Sequence, residues 1–150
     1  MKFIADVMLG RLAKRLRLLG FDVLYDPLLD DNSIIRLSLE QDRLILTRDA
    51  GLAARPLANR HLFLSAVKVQ DQLSQFLHDL RLEAECKPLT RCSECNGLLT
   101  PAAKEELKDL VPPYVYEHHE GFRMCKACGR IYWTGTHVKR MGIKRIGAGQ

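Results

Sequence analysis

The sequence predicts an α/β fold: a small parallel sheet between helices in three layers, followed by a zinc-ribbon module. Three observations carry this. Short apolar runs alternate four times with segments of helical periodicity over about the first 85 residues. One of those runs, Leu44-Ile45-Leu46-Thr47, is entirely apolar or β-branched, as expected of a central strand covered on both faces. All five cysteines fall at or beyond Cys86, and four of them form two Cys-x2-Cys pairs.

In chain order, Phe3-Ile4-Ala5 is a short strand ending at Asp6. Met8, Leu9, Leu12, Ala13, Leu16 and Leu19 then recur at helical spacing, and Gly20 closes the segment. Arg11, Lys14, Arg15 and Arg17 lie mostly off that stripe, most simply as a solvated helix face. Val23-Leu24-Tyr25 is a second strand, ended by Pro27. Asp30-Asp31-Asn32-Ser33 supplies helix-start chemistry, with Asp31 or Asn32 the expected cap, and Ile34, Ile35, Leu37 and Leu39 carry the helix to about Gln41. The central strand follows and runs into Arg48-Asp49. Leu52-Ala53-Ala54 suits a short helix ended near Pro56, and His61–Leu64 a fourth strand. Leu73, Phe76, Leu77 and Leu80 make a last amphipathic helix ending near Leu82. Right-handed crossovers turn this order into a parallel sheet. The alternation stops near residues 83–90, which read as a linker, with Cys86 a connector residue. The expected organisation is an α/β domain over 1–85, a ribbon over 91–138 and a basic tail over 139–150.

Composition narrows the class. Hydrophobic residues make up 47% of the 150, enough for a packed core, and no run approaches the ~18 apolar residues of a membrane span. Asp6 interrupts the opening apolar run, which argues against a signal peptide, so the expected location is the cytoplasm, with no membrane partner. The net charge of +5 is uneven. Residues 1–85 hold 12 basic and 12 acidic side chains, whereas residues 86–150 hold 11 and 6. Lys139, Arg140, Lys144 and Arg145 give the tail its charge, as a nucleic-acid contact or as a solubilising tail.

Cys92-x2-Cys95 and Cys125-x2-Cys128 are matching knuckles, each followed by a glycine, Gly97 or Gly129. Two intervening residues let both thiolates reach one ion from a tight turn. Two knuckles fill a tetrahedral zinc site and leave no position open for chemistry. His118, His119 and His137 could also ligate, but four cysteines already complete the site. The 29 residues between the pairs must hold an insertion, expected as a helix over Pro101–Leu110.

The second constellation is acidic. Asp6 follows the first strand and Asp49 the third, and ligands of open α/β sheets bind outside the carboxyl ends of strands. Asp30, Asp31 and Glu40 flank the intervening helix. Carboxylates converging there would suit Mg²⁺ or Mn²⁺, and a metal so held can drive phosphodiester hydrolysis. Arg48, with Arg11, Lys14 and Arg15, could hold flanking phosphates. Each acid also has a plainer reading: Asp6 and Asp49 as helix caps, Asp30 and Asp31 as caps or loop residues, Glu40 as an exposed helix end.

Phe3-Ile4-Ala5-Asp6-Val7-Met8-Leu9-Gly10-Arg11-Leu12-Ala13, continuing through Leu16–Asp22, resembles the opening of the PIN-like ribonuclease domain found at the C-terminus of the Mut-7 exonuclease. Leu44–Asp49 is similar to that family's central strand motif, and Arg91–Gly97 and Cys125–His137 to its two ribbon knuckles. The resemblance implies a PIN-like fold fused to a zinc ribbon, and metal-dependent ribonuclease activity on RNA. Carried over by position, Asp6 and Asp49 would be the leading metal ligands and Asp31 the next, with Asp30 and Glu40 behind them. PIN domains commonly have a fourth acid. Asp71 is the candidate here, although its neighbour Gln72 fits the family pattern better. Trp133 would stack on a base and His137 touch phosphate, or Trp133 covers the ribbon core and His137 lies at the surface. The alternative to an enzyme is a non-catalytic RNA- or ribosome-binding adaptor working through ribbon and tail. A DNA-binding regulator built on the ribbon is a third reading.

Overall fold

The periodic segments fold in the expected order around a four-stranded parallel sheet. A computed structural model describes residues 1–134 of the chain, so the expectations placed on His137 and on the tail 139–150 lie outside the described residues. The elements are β1 (Lys2–Ala5), α1 (Gly10–Leu18), β2 (Asp22–Leu24), α2 (Asp31–Gln41), β3 (Arg43–Thr47), α3 (Ala50–Ala53), β4 (His61–Phe63) and α4 (Val69–Leu80). The strand order is β2-β1-β3-β4, all parallel. β1 and β3 are therefore the two inner strands, with Ile4 opposite Ile45 and Ala5 opposite Leu46.

Side chains alternate across the pleat and so build two separate cores. Phe3, Ala5 and Leu46 point to the face covered by α1 and α4, where they meet Leu12, Leu16, Leu73 and Phe76. Ile4 and Ile45 point to the other face, against Ile34 and Ile35 of α2 and Leu52 of α3. This is a three-layer arrangement, and its inner strands are covered on both sides. The rings of Phe3, Phe21 and Phe76 pack edge to face at 4.9–6.1 Å. Among the described residues no helix is long and apolar enough to cross a membrane.

The cysteine-rich part forms a second, antiparallel sheet of β5 (Leu99–Pro101), β6 (Arg123–Cys125) and β7 (Ile131–Tyr132), in the order β5-β6-β7. The insertion departs from expectation. Pro101 ends a strand, Lys104–Leu107 is a single 3₁₀ turn, and the helix, α5, comes later, over Pro113–His118. The reason is local. Pro112 disfavours helical backbone at Val111, and Pro113 then sits at the first helical position, where its missing N–H costs nothing. Leu107, Val111 and Phe122 make a small core under the ribbon.

The connection between the sheets is fixed rather than loose. The N–H groups of Lys87 and Leu89 donate to the carbonyls of Leu19 (2.7 Å) and Leu18 (2.8 Å). Cys86, expected as a connector residue, is buried in the core beneath α1 and α4. Gly20 makes this join possible. Its φ is +95°, and a Cβ there would lie 2.6 Å from Thr90 Oγ1 and 2.7 Å from the Lys87 carbonyl.

Candidate functional site

The inner strands deliver two carboxylates to the carboxyl edge of the sheet. Asp6 leaves β1 with its N–H bonded to the Leu46 carbonyl at 2.8 Å, so its backbone still follows the sheet. Its side chain is only 3% exposed. No cap bond to the following turn explains that burial. The Asp6 Oδ2 instead accepts from the Thr47 hydroxyl at 2.8 Å. Thr47 is the last residue of β3 and fully buried, and its Oγ1 also accepts from the Asp49 N–H at 2.9 Å. One hydroxyl thus holds both acids, donating to the first and accepting from the backbone of the second. Thr47 was visible in the sequence only as a strand residue. A buried hydroxyl closing an apolar strand two positions before an aspartate was the available signal.

Asp49 caps α3: its Oδ1 accepts from the N–H groups of Gly51 (2.8 Å) and Leu52 (3.4 Å). The cap expected as an alternative to a site role is present, but it uses one oxygen. Among the described residues, Oδ1 of Asp6 and Oδ2 of Asp49 accept no hydrogen bond.

Asp31 completes the cluster because the helix start is divided differently from expectation. The cap of α2 is Asp30, whose Oδ1 accepts from the Ser33 N–H at 2.8 Å. That bond holds Asp30 below the usual carboxylate range. Asp31 is then the first helical residue and its carboxylate is left over. Its pKa is raised, first by burial and then by the negative charges of Asp49 and Asp6. Glu40 lies at the opposite end of α2 and pairs with Arg36 at 3.2 Å, so the fold does not bring it to the cluster. Asp71 lies exposed in the first turn of α4, while its neighbour Gln72 is buried and donates to the carbonyls of Ala66 and Val67.

The basic residues separate. Arg48 sits between Thr47 and Asp49, and its buried Nε has no acceptor among the described residues. Arg11 is exposed in the first turn of α1, the end that follows β1. Lys14, expected at phosphate, instead pairs with Glu94 of the ribbon at 3.2 Å. Arg17 is not part of a solvated face at all, being 4% exposed. Lys14 and Arg17 are three residues apart, so they share the helix face that the ribbon covers. Arg17 Nε donates to the Val23 carbonyl at 2.9 Å, and its Nη1 to the carbonyls of Ser93 (3.0 Å) and Glu94 (3.2 Å).

The four cysteines form the second site. Their sulfurs all lie within 4.8 Å of one another, the one group of three or more ligand atoms that tight among the described residues. Cys92 and Cys128 are 3.6 Å apart, and Cys95 and Cys125 are 3.4 Å apart. Tetrahedral zinc with Zn–S bonds of about 2.3 Å sets sulfurs roughly 3.8 Å apart, so the donor set and spacing fit a structural zinc ion. Tyr132 supports the site, its hydroxyl lying 3.0 Å from Cys92 Sγ and accepting from the Ser93 N–H at 3.1 Å. Asn96, one residue beyond Cys95, ties the knuckle to the edge of the parallel sheet. Its Oδ1 accepts from the Val23 N–H at 3.1 Å, and its Nδ2 donates to Asp22 at 2.7 Å. Trp133 packs against the small core of Leu107, Val111 and Phe122 and keeps part of its surface exposed.

No curated protein and no solved structure matches the chain. The sequence model of the Mut7-C RNAse domain matches residues 1–144, a span that takes in the carboxylates and both knuckles. The chain belongs to the Mut7-C RNAse domain family.

Proposed function

We propose that the protein is a metal-dependent ribonuclease that hydrolyses RNA phosphodiester bonds at the carboxyl edge of its parallel sheet. One observation carries the reading: Asp6 is held almost fully buried by Thr47, beside Asp49 and Asp31, in an arrangement that raises the Asp31 pKa. Arg55 offsets only part of the charge at Asp31, whose pKa stays raised, and carboxylates drawn together in this way fit a divalent metal.

Asp6 and Asp49 would each offer the oxygen not used inside the protein, and Asp31 a third. A Mg²⁺ or Mn²⁺ ion bound there supplies charge that polarises an attacking water and the scissile phosphate. The rigid hold on Asp6 and Asp49 keeps the ligand oxygens in place before substrate arrives. Arg48, between Thr47 and Asp49 in the chain and partly exposed, and Arg11, exposed at the start of α1, would hold the RNA backbone. Lys14 is given up from this role, because Glu94 holds it. The cysteine site would keep its zinc for structure only.

The test is Mn²⁺-dependent cleavage of a labelled RNA by the full chain and by Asp6→Asn and Asp49→Asn, with thermal melts to confirm folding. Both variants are expected to fold and to lose cleavage. If Asp49→Asn cleaves as fast as the parent, the site assignment fails. An adaptor would bind RNA undiminished by Asp6→Asn and lose it when residues 139–150 are deleted.

A further inference from the structure

A cleft of about 440 Å³ opens on the ribbon, away from the carboxylates. Its walls include Tyr132 and Trp133 from β7 and the residue after it, Pro112 from the insertion, and Ser93 and Glu94 from the first knuckle. Arg130 stands at its edge. The volume suits one nucleotide and is small for a folded partner.

The aromatic walls are fixed in advance. The Tyr132 hydroxyl is already committed to Ser93 and to the Cys92 sulfur, so the ring cannot turn away. Trp133 is braced from behind by Phe122 and His119, with ring centroids 6.3 Å and 6.4 Å away. A wall already held in its binding conformation loses little entropy when a ligand arrives. The charge is also set. Glu94 is neutralised by Lys14, whereas Arg130 makes no ion pair among the described residues. A flat aromatic surface beside one uncompensated guanidinium fits a ligand that is both aromatic and anionic.

We propose that this cleft binds one unstacked nucleotide of a single-stranded RNA, the base stacking on Trp133 and the phosphate meeting Arg130. The assignment of RNA rests on the ribonuclease reading above. It gives the ribbon a substrate-holding task besides its structural one. Glu94 on the cleft rim touches Lys14, about one helical turn along α1 from Arg11.

Trp133 is the only tryptophan in the chain, so its fluorescence reports this cleft alone. The zinc-loaded full chain, without Mn²⁺, is titrated with a short single-stranded oligoribonucleotide. Tryptophan emission is followed in parallel with the anisotropy of a labelled strand. Saturable quenching with the same midpoint as the anisotropy is expected. Arg130→Ala, an exposed substitution that leaves the core intact, should shift that midpoint at least about tenfold, as should Trp133→Ala by anisotropy. Binding by anisotropy with no quenching overturns the cleft and leaves the ribonuclease reading standing. Quenching by a wild type that does not cleave with Mn²⁺ supports the cleft and defeats the ribonuclease reading. Emission that ignores RNA but shifts when residues 139–150 are deleted means that the chain's own tail fills the cleft, and the proposal falls.

Discussion

Thr47→Val removes the one hydroxyl that organises the carboxylate cluster and changes little else. Valine has nearly the shape of threonine, so the fully buried pocket at the end of β3 stays filled and no cavity opens. What is lost is the 2.8 Å bond to Asp6 and the 2.9 Å bond from the Asp49 N–H. A hydrogen bond to a charged acceptor contributes about 1.5–3 kcal/mol, and a buried N–H left unpaired costs about 1–3 kcal/mol. The two share one oxygen and do not add fully, so roughly 3 kcal/mol is expected. For a chain of this size that lowers the melting temperature by about 6–12 °C.

Function should suffer more than stability. Without the hydroxyl, Asp6 has no partner holding its carboxylate, and the shift in melting temperature on adding Mn²⁺ should shrink at concentrations that saturate the parent. Thr47→Ser is the control. It keeps the hydroxyl and loses one methyl, about 1 kcal/mol, and should retain the parent's Mn²⁺ response. Differential scanning fluorimetry with and without Mn²⁺ reads all three proteins. If Thr47→Val melts within about 2 °C of the parent and responds equally to Mn²⁺, the hydroxyl does not organise the cluster and the reasoning is wrong.

Asp31 supplies the pH prediction. Its folded pKa is raised above the ordinary 3.8, by burial and then by Asp49 and Asp6, so the folded state holds that proton more tightly than the unfolded chain. Metal-free stability should therefore fall as pH rises from about 3.8 through the raised value, and Mn²⁺ affinity should rise over the same window. Asp31→Asn should raise the metal-free melting temperature at neutral pH by a few degrees while reducing the Mn²⁺-induced shift; a lower melting temperature would count against the repulsion. Arg17→Leu strips three hydrogen bonds from the join between Val23 and the first knuckle. It should weaken zinc retention against a chelating dye by about tenfold or more, and an unchanged zinc affinity would refute that support. Gly20→Ala forces a Cβ against the Lys87 carbonyl at a φ of +95°, and should destabilise by about 2 kcal/mol or more in urea melts.

The layered α/β fold was legible because its information is local. Alternating apolar runs state which residues face a core, and Asp6 and Asp49 follow from standing just beyond two such runs. The knuckles were legible for the same reason, since each pair of ligands is three residues apart. What escaped depends on pairs distant in the chain. Arg17 follows Lys14 and Arg15 on a helix, and nothing nearby says that carbonyls 76 and 77 residues away will bury it. Asp31 or Asn32 suits the cap as well as Asp30 by sequence, and only the helix register decides that Asp30 takes that place. That register frees Asp31 for the cluster. The helix of the insertion lies later than expected because the gap length between the knuckles says only that an insertion exists, whereas the two prolines Pro112 and Pro113 set where α5 starts.

Those distant pairs also give the ribbon a physical connection to the carboxylates. β2 is an edge strand of only three residues, Asp22–Leu24, with β1 as its one neighbour in the sheet. Left alone, it would expose unpaired backbone groups on its open side. The first knuckle and α1 cover that side: Asn96 accepts the Val23 N–H and Arg17 of α1 takes the Val23 carbonyl, while Asp22 is held by Asn96 and by Arg43 of β3, the latter at 2.8 Å. Burial alone would raise the Asp22 pKa, but these hydrogen bonds outweigh it and hold the group ionised below its ordinary range. β2 leads directly to the loop that carries Asp30 and Asp31. A zinc ion held by the four cysteines would therefore also steady the strand that leads to Asp31. Zinc removal should loosen Asp31 before it disturbs Asp6 and Asp49, which stand just beyond the inner strands β1 and β3.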